Sequence, residues 1–191
     1  IEQKMGIKAS PTVVLNFDKA RGYLIGEKNK GLEYMFTYMN TARIGIAIQG
    51  LCHSELAYQI SLPYAMDRLS MRSLAGTKNP DAVADPIIVH PDVRKMLLTQ
   101  KAFSEGGRAM VYYAGKMIDE LSQCNSEQER KEIDDKLGFF TPILKGFLTE
   151  VGFESANNGL QVFGGHGYIK EWGLEQIVRD ARISTLYEGT T

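Results

Sequence analysis

From residue 31 the chain carries apolar and small side chains at three-and-four spacing. Leu32, Met35, Met39, Ala42, Ile46 and Gly50 fall on one stripe, which continues through Leu51 and Leu56 towards Arg68. So long a periodic run commits the segment to a rod-like helix, and a rod with one apolar face has to be buried against other helices. The small residues Ala42, Gly45, Ala47, Gly50 and Ala57 would let a second backbone come close. Pro63 is expected to kink the rod, since it removes one donor and crowds the carbonyl one turn back.

Helical spacing returns at Asp92, with Val93, Met96, Leu97, Phe103, Gly107, Met110, Val111, Ala114, Met117, Ile118 and Leu121 on a stripe. Roughly thirty residues at about 1.5 Å rise make a rod of about 45 Å. Residues 122–126 read as a turn, and the charged run 127–136 as a short exposed helix, or the lead-in to the next rod, that Gly138 would end. Thr141-Pro142 reads as a helix start, a hydroxyl cap followed by Pro at the first helical position. The stripe Ile143, Leu144, Phe147, Leu148, Val151, Ser155, Asn158 and Val162 follows, and Leu174, Ile177, Val178 and Ala181 mark a short last helix. Three long helices and a shorter one predict an all-α, antiparallel up-and-down four-helix bundle.

Residues 8–17 and 22–26 have β-branched and aromatic residues at strand-like spacing. Two strands do not stand alone in water, so residues 1–27 are expected to be the end of a β-domain, and 28–191 a helical-bundle domain. The absence of an initiator Met and the stop directly after a motif suggest a piece of something longer. Residues 73–91 hold Gly76, Asn79, Pro80, Pro86 and Pro91 without amphipathic period, a loop of unusual length that is either functional or mobile.

With 22 basic against 23 acidic residues, the chain lacks the electrostatic footprint of a nucleic-acid binder. No run of about 18 apolar residues points to a membrane span. Cys52 and Cys124 read as free thiols of a reduced compartment. No metal site is expected, because His53, His90 and His166 have no ligand spacing. Walker and nucleophile-elbow motifs are absent as well, which argues against kinases and hydrolases.

Four stretches could carry chemistry. Tyr187-Glu188-Gly189-Thr190-Thr191, after the amphipathic run 174–183, can hold one carboxylate at the rim of a helical core, which makes Glu188 a candidate base. The bland alternative is a solvated loop glutamate. In Gln161-Val162-Phe163-Gly164-Gly165-His166-Gly167-Tyr168, three glycines allow positive φ and close backbone approach to a flat or phosphorylated ligand, where one glycine would suffice for a C-cap. His166 itself receives no role. Arg68 can pair with a phosphate, or with Asp67 or Asp85; Asn40 and Arg43, one turn apart, can face one cleft or solvent. Arg179, Asp180 and Arg182 are most simply the solvated face of the last helix.

Taken together, these stretches resemble the acyl-CoA dehydrogenase family over nearly the whole chain. Residues 4–12 look like late strands of that family's β-domain. The pieces Leu24-Ile25-Gly26, Met39-Asn40-Thr41-Ala42-Arg43, Tyr64-Ala65-Met66-Asp67-Arg68, Gln161 to Gly167, Arg179-Asp180-Ala181-Arg182 and Tyr187-Glu188-Gly189-Thr190 follow in the family's order. The resemblance implies FAD as cofactor, an acyl-CoA thioester as substrate, and Glu188 as the base that takes the α-proton. Some relatives carry the base on the first long helix, but Thr41 and Ala42 stand at the candidate places here. Asn40, Arg43 and Gly189 match substrate-cleft positions; Arg68, Ser70, His90, Gln161, Gly164, Gly165, Thr190 and Thr191 match cofactor contacts, with Arg68, Ser70 and the Gln161 loop reaching the cofactor of a neighbouring subunit. An electron-transfer flavoprotein as acceptor, a homodimer or homotetramer, and a bacterial cytoplasm or mitochondrial matrix follow from the same resemblance. An acyl-CoA oxidase, or a non-catalytic assembly or nucleic-acid-binding relative, are the alternatives. Met71-Arg72 replaces the family's usual Phe-Gly and leads into the long excursion, as in a subgroup acting on long or unusual acyl groups such as 3-methylmercaptopropionyl-CoA.

Overall fold

In the computed structural model residues 1–189 are described, apart from the side chain of Asn40; Thr190 and Thr191 lie outside the described residues. Three long helices, α1 (Gly31–Asp67), α2 (Pro91–Gln123) and α3 (Glu127–Phe163), precede the short α4 (Leu174–Arg182). The expected four-helix, up-down-up-down bundle is what forms. Along α1 and α3 contacts run in the same direction, from Gly50 against Leu148 to Ser61 against Gly159 and Tyr64 against Phe163. α2 runs the other way, with Gly107 against Leu148 and Gln100 bonded to Ser155.

Small residues decide how closely α1 and α3 approach. A Cβ on Gly152 would sit 2.5 Å from the Gly50 carbonyl oxygen, and one on Gly50 would sit 2.6 Å from the Leu148 carbonyl carbon. Backbone therefore lies on backbone at this crossing, and Ala47 and Ala57 beside it are fully buried. Around the crossing Leu51, Ala114, Met117, Leu144, Leu148 and Val151 form one core cluster. Full burial of Leu144 and Leu148 contributes about 1.5–3 kcal/mol each relative to exposure. A second cluster, with Ala156, Phe163, Leu174, Ile177 and Ala181, fastens α4 to the end of α3. Two of the buried polar side chains give a donor to a helix carbonyl: Ser54 Oγ donates to Val151 at 3.3 Å, and Gln100 Nε2 to Ser155 at 3.2 Å.

In three places the structure departs from the expectations. α3 is one continuous helix, so Gly138 ends nothing and Thr141-Pro142 starts nothing. Its true start is Ser126, whose hydroxyl accepts from the Glu129 N–H at 3.4 Å in a Ser-x-x-Glu capping pattern. Ile133, Leu137 and Phe140 pack on the core and continue the stripe into Leu144 at four, three and four spacing, and this packing outweighs the donor lost at Pro142. Thr141 turns inward and gives its hydroxyl to the Leu137 carbonyl at 2.7 Å.

The strand expectation for residues 8–17 and 22–26 fails: residues 1–30 contain no strand, because a single backbone bond, Glu2 N–H to the Thr12 carbonyl at 2.9 Å, does not make a ladder. Val14, Leu15, Phe17, Tyr23, Leu24 and Ile25 are left exposed. Nor are Arg179 and Asp180 merely solvated: Asp180 Oδ1 accepts from the Ile7 N–H at 2.6 Å, and Arg179 bridges Glu175 (2.6 Å) and the Met5 carbonyl (2.8 Å). Arg182 donates to the Thr185 hydroxyl and lies over the Phe153 ring. α4 thereby anchors the amino-terminal segment.

Because a methyl at the α1–α3 crossing must push backbone apart, Gly152→Ala is expected to destabilise the fold by about 1–3 kcal/mol. On α2, a Cβ at exposed Gly106 meets nothing, so Gly106→Ala should stabilise by about 0.5–1 kcal/mol. Urea unfolding of the two variants against wild type measures both.

Candidate functional site

Where α1 and α3 end side by side, a cleft of about 510 Å³ opens, lined by Arg68, Ser70, His90, Gln161, Gly164 and Gly165 together with Tyr64, Met71 and His166. Each sequence-predicted cofactor contact among the described residues therefore borders one space. Gly164 has φ 58, and a Cβ on either Gly164 or Gly165 would meet no protein atom, so the space beside this backbone is free for a ligand. Gly167 serves packing instead, since its missing Cβ makes room for the Leu160 carbonyl. Arg68 is exposed at the cleft, and Asp85, one of its two expected acidic partners beside Asp67, pairs with Arg72 at 3.3 Å instead.

Sequence reasoning gave no part to the aromatic wall. Tyr64 stacks on Phe163 with ring centroids 3.8 Å apart, and its hydroxyl lies 3.0 Å from His166 Nδ1. The His166 ring stacks in turn on Trp172, 5.0 Å between centroids. An aromatic at the end of each of two neighbouring helices, Tyr64 and Phe163, was the available signal.

The long excursion holds the cleft's near side. It folds back through Ile87 N–H to the Arg68 carbonyl (2.8 Å), Ser70 N–H to the Asp85 carbonyl (3.0 Å) and Asp85 N–H to the Met71 carbonyl (2.9 Å). His90 Nε2 lies 2.9 Å from the Ser70 carbonyl, which fixes Nε2 as the donor. At the centre is Asp85, fully buried, whose carboxylate accepts from the N–H groups of Ser73 (2.8 Å), Lys78 (2.9 Å) and Asn79 (2.7 Å) and from Arg72. The Ser73 N–H above all, then those of Asn79 and Lys78 and the Arg72 guanidinium, outweigh burial and lower its pKa to about 2.

A second group of polar residues forms near the other end of α1. Arg43 Nε donates to the Glu188 carbonyl at 3.1 Å, and the Lys145 ammonium donates to the carbonyl of Gly189. The Tyr187 hydroxyl donates to Gln49 Oε1; burial pushes this phenol above its ordinary value. Glu188 has φ 57, unusual for a residue with a side chain, and its Oε2 is buried with no hydrogen-bond partner among the described residues. Arg43 thus touches the candidate base. Lys145 and Gln49 were missed: each lies within a helix, where sequence gives no sign that a polar side chain points inward. Asn40's side chain, Thr190 and Thr191 lie outside the described residues.

The two groups sit roughly 20–35 Å apart along α1, from the helix rise between Gln49 and Tyr64 or Arg43 and Asp67. Among the described residues no cluster suits a metal ion, and no helix is long and apolar enough to cross a membrane.

Fold and sites together define a helical-bundle domain with a cleft of aromatic and cationic residues at one end and, at the other, a turn whose Glu188 and Gly189 carbonyls are bonded by Arg43 and Lys145. Residues 29–191 match the family described as acyl-CoA dehydrogenase, C-terminal domain, and the chain belongs to the acyl-CoA dehydrogenase family. It is similar to 3-methylmercaptopropionyl-CoA dehydrogenase of Ruegeria pomeroyi, 48% identical over all of this chain and 32% of that protein. Among solved structures it resembles an acyl-CoA dehydrogenase complexed with FAD from Bacillus anthracis (27% identity, TM-score 0.81, 99% of this chain and 32% of that one). It also resembles butyryl-CoA dehydrogenase from Megasphaera elsdenii (26% identity, TM-score 0.78, 99% and 44%). The chain spans about a third of the length of the first of these relatives.

Asp85 gives the cleft a pH limit. Its folded pKa lies below the ordinary 3.8, so its stabilisation is complete above that value and is lost as pH falls towards about 2. Lowering the pH through this window should speed protease nicking within residues 70–86. Asp85→Asn, which turns an amide donor towards backbone donors, should bring the same nicking to neutral pH while wild type stays intact.

Proposed function

We propose that the chain is the carboxy-terminal helical part of a flavin-dependent acyl-CoA dehydrogenase, preceded in residues 1–27 by the end of a β-domain, and that Glu188 is its base. The observation that carries this reading is the state of Glu188: its backbone is fixed by Arg43, and its Oε2 is buried with no hydrogen-bond partner among the described residues. A carboxylate so held is positioned, partly dried and free to accept a proton. In the reaction the α-proton of the acyl thioester passes to Glu188, and the β-hydrogen leaves with its electron pair, for which FAD, when bound, is the acceptor. Arg43 keeps the main chain of Glu188 in place while the proton moves, and Tyr187, bonded to Gln49, fixes the turn from the other side.

The cleft residues suit the cofactor. Arg68 offers an exposed guanidinium to a phosphate, the backbone at Gly164 and Gly165 is clear of side chains, and the Tyr64–His166 side offers a flat wall. Thr190, Thr191, Ser70, His90 and Gln161 complete the proposed cofactor contacts, with Asn40, Arg43 and Gly189 towards the acyl-CoA. The separation of this cleft from Glu188 along α1 supports the reading that the cleft serves the cofactor of a neighbouring subunit, in a homodimer or homotetramer. The family resemblance supports an electron-transfer flavoprotein as the next acceptor, and the similarity to the Ruegeria pomeroyi protein supports an unusual acyl group such as 3-methylmercaptopropionyl.

The test is anaerobic flavin absorbance of the full-length protein on adding a panel of acyl-CoA thioesters. Wild type should bleach rapidly with its preferred thioester, and Glu188→Gln should slow bleaching by about 10²–10⁴-fold, the usual contribution of a positioned base. Equal bleaching in both would remove Glu188 from this role, and a protein without flavin would remove the reading as a whole.

A further inference from the structure

We propose that Lys145 is a positioning residue for Glu188: its buried ammonium and the Arg43 guanidinium clamp two successive main-chain carbonyls and so aim the Glu188 carboxylate. The proposal rests on Glu188 being the base.

Lys145 is the oddity of the bundle interior. It sits on α3 beside fully buried Leu144, and is itself only 3% exposed. Packing does not call for a cation there: a Met or Leu would fill the same stripe without the cost of drying an ammonium. Burial first, then the Arg43 guanidinium, push Lys145 below the ordinary lysine value, while the carboxylates of Glu150 and Glu188 pull it back up.

What the ammonium does is shown by its contact. Lys145 donates to the Gly189 carbonyl, and Arg43 donates to the adjoining Glu188 carbonyl at 3.1 Å. Both residues that carry those carbonyls are left-handed, Glu188 at φ 57 and Gly189 at φ 100. Glycine adopts that conformation freely and glutamate does not, so Glu188 needs outside interactions to stay there. Two cations on two different helices, α1 and α3, supply them, and they bind backbone rather than the carboxylate. A salt bridge to Glu188 itself would occupy the oxygen that has to take a proton; with the grip on the flanking carbonyls, Oε2 has no hydrogen-bond partner among the described residues.

The test uses the full-length, flavin-loaded enzyme and two substitutions. Lys145→Met removes donor and charge at similar length, and Lys145→Gln keeps a donor without the charge. Lys145→Met should lower kcat about 10²-fold, the scale of a misplacement near 1 Å, with KM within about twofold. An α-deuterated thioester should show a larger isotope effect on kcat in this variant, because proton transfer becomes slower relative to the other steps. Deuterium uptake should rise in residues 186–191 and stay at the wild-type level along α3. Lys145→Gln should fall between wild type and Lys145→Met.

Wild-type kcat and unchanged uptake in both variants would overturn the proposal. So would uptake that rises along the whole of α3, since Lys145 would then be a packing residue. If Glu188→Gln retains turnover, the assignment of the base fails on its own; the uptake of residues 186–191 in Lys145→Met then decides whether Lys145 holds this loop.

Discussion

The backbone contact between α1 and α3 at Gly50 and Gly152 sets the register of the whole bundle. Once those two glycines meet, the parallel course of the helices brings Arg43 to the level of Lys145 and Tyr64 to the level of Phe163. Larger residues at the crossing would separate the axes and slide the rows past each other, because ridges and grooves interlock only at particular offsets. Both sites therefore inherit their geometry from a place where no chemistry occurs. Gly159, whose open side accepts Ser61, Ala57 and Leu174, continues the same close approach towards the cleft.

Much of this was legible in the sequence, and the reasons differ by element. Apolar periodicity placed α1, α2 and α4 because each buries one stripe and the stripe is written in residue types. α3 was misread at its start because a proline and a glycine looked like boundaries, while Ile133, Leu137 and Phe140 were hidden in and just after a charged run. Local signals of this kind lose to packing when the burial on offer is larger than one lost hydrogen bond. The cleft residues were recoverable one motif at a time, yet only the structure brings Ser70 and His90 beside Gly165, since the excursion between them has no period to read. Lys145 and Gln49 could not be found at all, because an inward-facing polar residue on a helix has the same sequence signature as an outward-facing one.

Asp85 and Glu188 show how one functional group is put to opposite uses. Asp85 is surrounded by donors from Ser73, Lys78, Asn79 and Arg72, which fix its charge and commit its lone pairs to folding the loop. A carboxylate in that setting is a poor base at any physiological pH, since every donor favours the ionised form. Glu188 has the reverse arrangement. Its backbone is gripped, its neighbour Tyr187 is tied to Gln49, and its Oε2 has no donor among the described residues.

That contrast explains why cations rather than hydrogen-bond donors to the side chain surround the Glu188 turn. A proton acceptor must be held still without being satisfied, and the only handles left are the carbonyls of its own main chain. Carbonyls are acceptors, so the handles must be donors, and strong donors in a half-buried place are Arg and Lys. The bundle can bear a nearly dry ammonium at residue 145 because the adjoining Leu144 and Leu148 core is fixed by the α1–α3 crossing and need not adapt around it.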